Sequence, residues 1–307
     1  MVKFKSLFDR GGLSLDRLRS FALIAEAGGL SLAAEGDPTR MSLFSKQVKE
    51  LETFFGVPLT RRQGRTIKLT EAGNRLAQLA QAHLSGLEDF QQTCRGLPQI
   101  LSLGASNSVL EWLVLPEAAK LRRALPNTRF QFYAGRTHDL VRRLTDLTVD
   151  LGLLREDAVT APLKAKRLLV MTYSLFLPKR LAAKAGEDQL KEALASLPLA
   201  TSIGGQFRER LEEAAGKAHW PLRIELSCSS FTQAARAVET GAFGAVLPSV
   251  AAVEFAPGDV IELPLPFLKS YARPICAVWN PRLAEVRPVV RQAIGALHQS
   301  LMRKPIL

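Results

Sequence analysis

Ser42, Ser45, Lys46 and Lys49 recur at i, i+3, i+4 and i+7, so a helix places them on one face. Hydroxyl and ammonium groups in such a row can donate to base edges and phosphates. Phe44, Val48, Leu51 and Phe55 follow the same period and form an apolar stripe about 150° away. One side of this helix can pack on a small core while the other enters a DNA major groove. Most amphipathic helices have a solvated charged face and no ligand, so the flanking elements decide.

The flanks fit a helix-turn-helix. Residues 13–27 carry Leu15, Leu18, Phe21, Ala22 and Ala25 on one side, with Ser14 or Asp16 to cap the start and Gly28-Gly29 to stop it. A short helix is expected near Ser31–Glu35, then a turn, Gly36-Asp37-Pro38-Thr39, and then the two-stripe helix, ending at Gly56. Two strand-like pieces, Val57–Thr60 and Thr66–Leu69, flank a Gln63-Gly64 turn. Arg61, Arg62, Arg65 and Lys68 make this hairpin a basic wing suited to phosphates or a narrow minor groove. A solvated hairpin is the bland alternative.

Thr70 can cap a long helix over Glu71–Thr93. Its stripe of Leu76, Leu79, Ala80, Leu84, Leu87 and Phe90 either pairs with a second copy or packs on its own chain; two-fold DNA readers commonly dimerise. Gly96-Leu97-Pro98 marks a boundary. Beyond it strands and helices alternate, beginning with a strand at Ile100–Ala105 and a helix at about Val109–Ala124 ended by Pro126. Repeated βα units of this kind predict open, mostly parallel sheets, which bind ligands beyond the carboxyl ends of their strands.

Composition sets the outer limits. A chain of 307 residues, nearly half of them hydrophobic, can build two or three cored domains. The +12 formal charge favours a polyanionic partner, but it is spread along the chain: residues 1–95 hold a net +4 and the remainder +8. Cys94, Cys228 and Cys276 are far apart and odd in number, which fits a reducing cytosol rather than a disulfide framework. Residues 1–12 read as a loose basic leader without the apolar core of a signal peptide, and no apolar run spans a bilayer, so a cytoplasmic protein without a membrane partner is expected.

The segments LRSFALIAEAGGLSLAAE, SLFSKQVKELETFFGVPL and RTIKLTEAG, ungapped over residues 18–73, resemble the LysR-type transcriptional regulators, and the likeness extends over nearly the whole chain. It implies an α/β protein in three parts. These are a winged helix-turn-helix (1–69, with 1–12 a leader), a linker and dimerisation helix (70–95), and a two-subdomain effector domain resembling periplasmic binding proteins (96–307). The first subdomain would be about 97–167 plus 271–307 and the second about 168–270. Carried over by position, Ser31, Ser42, Ser45, Lys46, Lys49, Arg62 and Arg65 face DNA, and Arg40 adds a phosphate contact where the family has Ser. Leu76, Leu79, Leu84, Leu87 and Phe90 dimerise. Two departures stand out. Asp37-Pro38-Thr39-Arg40-Met41 replaces the usual turn and its Gln, so the bases read should differ, because Met41 cannot make Gln's bidentate contact to adenine. Thr60 stands where the wing usually has an aromatic, which weakens a packing contact. The implied partners are an inverted-repeat duplex, further copies of the chain as dimer or tetramer, RNA polymerase, and a small effector.

The effector site is expected at the loops after the strands. Ser106, Asn107 and Ser108 offer an anion cradle or simply cap a helix. Thr201, Ser202 and Phe207 face them from the other subdomain, with Ser229, Phe231 and Pro248 nearby; Phe207 and Phe231 are wall or core, and Arg155 is a charge partner or a surface residue. No cofactor is implied beyond an effector of unknown identity, with a weak lean towards an anion. An enzyme is disfavoured: no HExxH, P-loop, GxSxG or GxGxxG is present, and His83, His138, His219 and His298 are scattered, without metal-ligand spacing. Two rivals remain. One is an intracellular solute-binding protein using the same cleft; the other is a redox sensor at Cys228, which lacks a nearby resolving cysteine.

Overall fold

The computed structural model describes residues 4–9, 11–63, 66–182, 194–202 and 207–301. After a one-turn helix α1 (Lys5–Phe8) come α2 (Leu15–Ala27), α3 (Leu30–Ala33) and α4 (Pro38–Phe55). The Ser14 hydroxyl accepts from the Arg17 N–H at the start of α2. At the start of α4 the Asp37 carboxylate accepts from the Thr39 N–H at 2.8 Å, and Pro38, whose missing N–H costs nothing in a first turn, begins the helix. The turn is therefore shorter than 36–39, and Arg40 and Met41 are helical. Phe21, Ile24, Leu30, Phe44, Val48 and Leu51 form the core. Each such side chain contributes roughly 1.5–3 kcal/mol by burial. Phe55, expected in the stripe, is partly exposed because the helix runs past that core.

The wing differs from its expected register. Strand β1 is Thr60–Gln63, not Val57–Thr60, and it pairs antiparallel with β2 (Thr66–Leu69), Thr60 opposite Leu69. The cause is Glu52 on α4. Its carboxylate accepts from the N–H groups of Leu59 and Thr60 at 2.9 and 3.0 Å and from the Thr60 hydroxyl at 3.0 Å, so the chain is tied to the helix before the ladder starts. These bonds hold Thr60 where a larger side chain would rely on packing.

Helix α5 (Glu71–Cys94) is capped by Thr70, whose hydroxyl accepts from the Gly73 N–H at 3.0 Å. Gly73 allows this approach: a Cβ there would lie 2.0 Å from the Leu59 carbonyl oxygen. Leu76 corrects one expectation. It is 9% exposed and packs with Leu59, Leu51 and Phe21 in the winged domain's own core, because the first turns of α5 close that domain. Farther along, Leu79, Leu87 and Phe90 are 49%, 51% and 68% exposed, while Leu84 is half-buried.

Two five-stranded sheets follow. The first has the order β4 (Thr128–Ala134), β3 (Gln99–Ala105), β5 (Leu151–Arg155), β12 (Arg273–Trp279), β6 (Lys164–Met171). The second has the order β11 (Val260–Pro264), β7 (Tyr173–Pro178), β10 (Gly244–Pro248), β8 (Pro198–Ser202), β9 (Arg223–Cys228). Both are mixed rather than mostly parallel: β12 runs against β5 and β6, and β7 runs against β10 and β11. Residues 168–171, expected in the second subdomain, pair with β12 in the first sheet, so the first crossing falls at Thr172. The helix expected at Val109–Ala124 is α-helical only at Asn107–Val109 (α6) and Ala118–Ala124 (α7), with a wide π-turn at Leu110–Val114 and a 3₁₀ turn at Leu115–Glu117, which contains Pro116, between them. Helix α8 (Thr137–Thr145) follows β4, α9 (Lys179–Ala182) follows β7, α10 (Phe207–Lys217) follows β8 and α11 (Phe231–Glu239) follows β9. Pro288 splits the closing helix into α12 (Pro281–Val286) and α13 (Pro288–Leu301), with Arg287 between.

That break carries the junction between linker and effector domain. The Arg287 guanidinium grips the Asp89 carboxylate of α5 with two bonds, at 2.7 and 3.0 Å, and also donates to Asp150 and to the Ile100 carbonyl. Asp150 in turn accepts from the N–H and hydroxyl of Ser102 on β3. All three charged side chains are buried. Burial pushes the Asp150 carboxyl above its ordinary range, with Arg287 opposing the rise; for Arg287 burial works downwards, and Asp89 and Asp150 together outweigh it and raise the guanidinium.

Candidate DNA-reading face and effector cleft

On α4 the structure brings Ser42, Ser45, Lys46 and Lys49 together along a concave trough of about 550 Å³. Ser42, Lys46 and Lys49 are exposed and Ser45 half-buried, while Phe44, Val48 and Leu51 point inward. Among the described residues the only carboxylate on the trough, Glu50, is paired with Arg17 of α2, so the face retains the charge of the two lysines. Ser31 on α3 and Arg62 on β1 are exposed. Arg40 is drawn back towards its own domain: it pairs with Glu35 at 3.4 Å and lies over the Phe44 ring at 5.8 Å. Arg65 lies outside the described residues.

The two sheets enclose a cleft of about 960 Å³. Ser106, Asn107, Ser108, Ser202, Phe207, Ser229, Phe231 and Pro248 all line it. Thr201 does not. It is 1% exposed, because strand alternation turns it to the face of β8 opposite Ser202. Ser106 makes no capping bond at the start of α6; its hydroxyl lies 3.3 Å from that of Ser108. Ser230 is the capping residue of its loop, and Ser229 donates to Gln233. Phe207 is both wall and core. It stacks on Tyr173 at 5.1 Å and meets Phe231 edge-on at 4.7 Å.

Sequence reasoning missed most of the charge. Arg136 stands just before α8, Arg210 lies on α10, Arg273 begins β12, and with Arg155 they give the cleft four arginines; His138 also lines it, and no carboxylate lines the cavity among the described residues. Asp157 stands behind the wall, 3.5 Å from Arg155 and 3.9 Å from Arg273, and Arg273 also lies over the Tyr271 ring at 4.6 Å. One acid between two arginines leaves net positive charge there. Tyr173 supplies a neutral hydroxyl: burial pushes it up to about 12, against the pull of Arg273 and Arg155. Arg273 and Tyr173 begin strands that run antiparallel to their neighbours, so their amino ends meet the ligand side. A search at the carboxyl ends of strands passes over them. Arg136, just past the end of the parallel strand β4, was open to that search.

Cys228 ends β9 buried, and burial raises its thiol above the ordinary value, opposite to the shift that makes a cysteine reactive. Cys276 is also buried and raised, and Cys94 is exposed and unpaired. Nothing here favours redox sensing. Among the described residues no helix is long and apolar enough to cross a membrane.

This architecture has a clear counterpart among known proteins. The description "LysR substrate binding domain" matches residues 95–302, and "Bacterial regulatory helix-turn-helix protein, lysR family" matches residues 15–74. The chain belongs to the LysR family. It is a DNA-binding transcriptional regulator controlled through an effector domain. PtxR of Pseudomonas aeruginosa is 28% identical over 95% of both chains. DgdR of Burkholderia cepacia is 32% identical over 46% of this chain and 49% of its own, so that alignment spans about half of DgdR. Among solved structures, ArgP from Mycobacterium tuberculosis superposes with a TM-score of 0.68 at 17% identity, covering 95% of this chain and 98% of its own. A full-length OxyR variant from Pseudomonas aeruginosa gives 0.65 at 22% identity, covering 96% of each. At these identities the solved structures establish the LysR fold.

Proposed function

We propose that this LysR-type regulator is switched by a small organic anion held between its two α/β subdomains. The observation that carries the reading is the cleft's charge: four arginines and no lining carboxylate among the described residues, beside the protonated Tyr173. Arg136, Arg155 and Arg273 belong to the first subdomain, Arg273 on the strand β12 that returns to its sheet, and Arg210 belongs to the second. An anion bridging these groups favours one closure of the cleft over another, and only such differential binding shifts a conformational equilibrium. The route outwards is short. Strand β5 joins Arg155 at the cleft to the residue after Asp150, and Asp150 meets the linker helix through Arg287. Movement of β5 is thereby felt at Asp89 on α5 and at the winged domain that α5 completes.

The exposed Leu79, Leu87 and Phe90 support pairing of α5 with a second copy, giving dimers or tetramers on an inverted-repeat operator. Contact with RNA polymerase and a cytoplasmic location follow from the regulatory role. The test is a thermal-shift and calorimetric comparison of small carboxylic acids (succinate, benzoate, benzene-1,2-dicarboxylate) with their amides. At least one acid should raise the Tm and its amide should not, and Arg136→Gln with Arg273→Gln should remove the shift. Equal stabilisation by the neutral amides, or acid binding indifferent to both arginines, would count against an anionic effector.

A further inference from the structure

Three of the cleft arginines stand along one edge of the first sheet, and strand order sets their spacing. Strands β4, β3 and β5 are parallel neighbours, with Ala134 opposite Ala105 and Gly104 opposite Gly152. Arg136 is two residues past Ala134, Asn107 two past Ala105, and Arg155 three past Gly152, so the three leave the sheet at one level. Adjacent strands lie about 4.8 Å apart, so Arg136 and Arg155, with β3 between them, start about 10 Å apart. Arg273 sides with Arg155. Its strand β12 is the next neighbour, with Ile275 opposite Arg155, and Asp157 lies 3.5 Å from Arg155 and 3.9 Å from Arg273. The Ser106 and Ser108 hydroxyls, at the end of β3, fall in the gap between the two groups.

Each group has charge for one anion. Asp157 offsets one of its two arginines and leaves one positive charge. Arg136 stands at the amino end of the nine-residue helix α8, whose first N–H groups also favour an anion. The acid in that first turn, Asp139, is engaged by His138 at 3.4 Å and Arg142 at 3.8 Å.

We infer that the effector is a small dicarboxylate, one carboxylate held by Arg155 and Arg273 and the other by Arg136, with its skeleton lying over Ser106 and Ser108. This rests on the anionic reading of the cleft and narrows it. A monoacid fills one group only and leaves the other cation in the cleft without a counter-charge. Arginine suits both ends, because its planar fork matches a carboxylate with two parallel bonds.

Calorimetric titration of the full-length protein at neutral pH compares the diacids from succinate to suberate, and the three benzenedicarboxylates, with their half-amides and diamides. A half-amide keeps the length and loses one charge. The best diacid should bind at least about tenfold tighter than its half-amide, as expected for hydrogen bonds to a charged group. Affinity should peak within the straight-chain series, because the distance between the two groups is fixed. Arg136→Gln should reduce the best diacid to the level of its half-amide, whereas Arg273→Gln should weaken both. Half-amides equal to their diacids, or a diacid preference that survives Arg136→Gln, would overturn the dicarboxylate and leave the anionic reading standing. So would inorganic phosphate binding as tightly as the best diacid, since one doubly charged group would then suffice. Diamides equal to the diacids, or no binding by any acid, would overturn both.

Discussion

In the winged domain, Ser42, Ser45, Lys46 and Lys49 lie within eight consecutive residues on one helix. In the cleft, Arg136, Arg155, Arg210 and Arg273 come from four separate elements. The first arrangement needs only helix formation and one apolar stripe. The second needs two mixed sheets in the correct strand order, and it brings Arg273 into the cleft only because β12 runs antiparallel to β5. Local periodicity encodes the reader and tertiary topology encodes the sensor. Between them, Arg287 gathers Asp89 and Asp150 from opposite sides of this divide.

Predictions that sharpen this contrast begin at the junction. Arg287→Ala leaves two buried carboxylates without their partner. It should cost about 3–5 kcal/mol in denaturant unfolding, the usual range when one member of a buried ion pair is removed. A loss within error would mean that the two halves are joined by other contacts. Next come the readers. Ser45→Ala should cost about 0.5–1.5 kcal/mol at the base it contacts and little elsewhere, whereas Lys46→Ala should weaken binding to all duplexes and flatten the salt slope by about 0.9. Competition against single-base operator variants distinguishes the two. In the cleft, Arg273→Gln should abolish acid-induced stabilisation yet leave ligand-free DNA affinity unchanged, which gel-shift titration checks; a parallel loss of DNA binding would erase the division between halves.

The smallest effect concerns Tyr173. Its folded value, about 12, lies above the ordinary tyrosine value near 10. The protonated form therefore favours the fold: this contribution is full below pH 10 and is lost as pH rises through 12. Effector binding should show no Tyr173 titration between pH 7 and 10, and Tyr173→Phe should remove part of the stability loss between pH 10 and 12.

The same contrast explains what was legible in the sequence. The Phe44, Val48 and Leu51 stripe, the Asp37-Pro38 start of α4 and the Thr70 cap are all local signals, and the helices formed where those signals stand. Val57–Thr60 was misplaced because Glu52, five to eight residues earlier, captures the backbone before β1. Leu76 and Leu79 look alike in one helical stripe; only the packing of α2 against α5 separates a core leucine from an exposed one. Asp89 and Arg287 are 198 residues apart and carry no shared spacing. The one clue was Pro288, which forces Arg287 out of helical geometry. The cleft serines followed from strand ends, while Thr201 failed by a single step of strand alternation.

In the proposed mechanism, charge in the cleft is coupled to the DNA reader. A footprinting and bend assay on a duplex selected by the full-length chain, run with and without the acid that most stabilises the wild-type protein, tests it most directly. The footprint or bend should change in wild type and stay fixed in Arg136→Gln/Arg273→Gln. An acid that binds the cleft tightly and leaves the wild-type footprint and bend unchanged would contradict the claim.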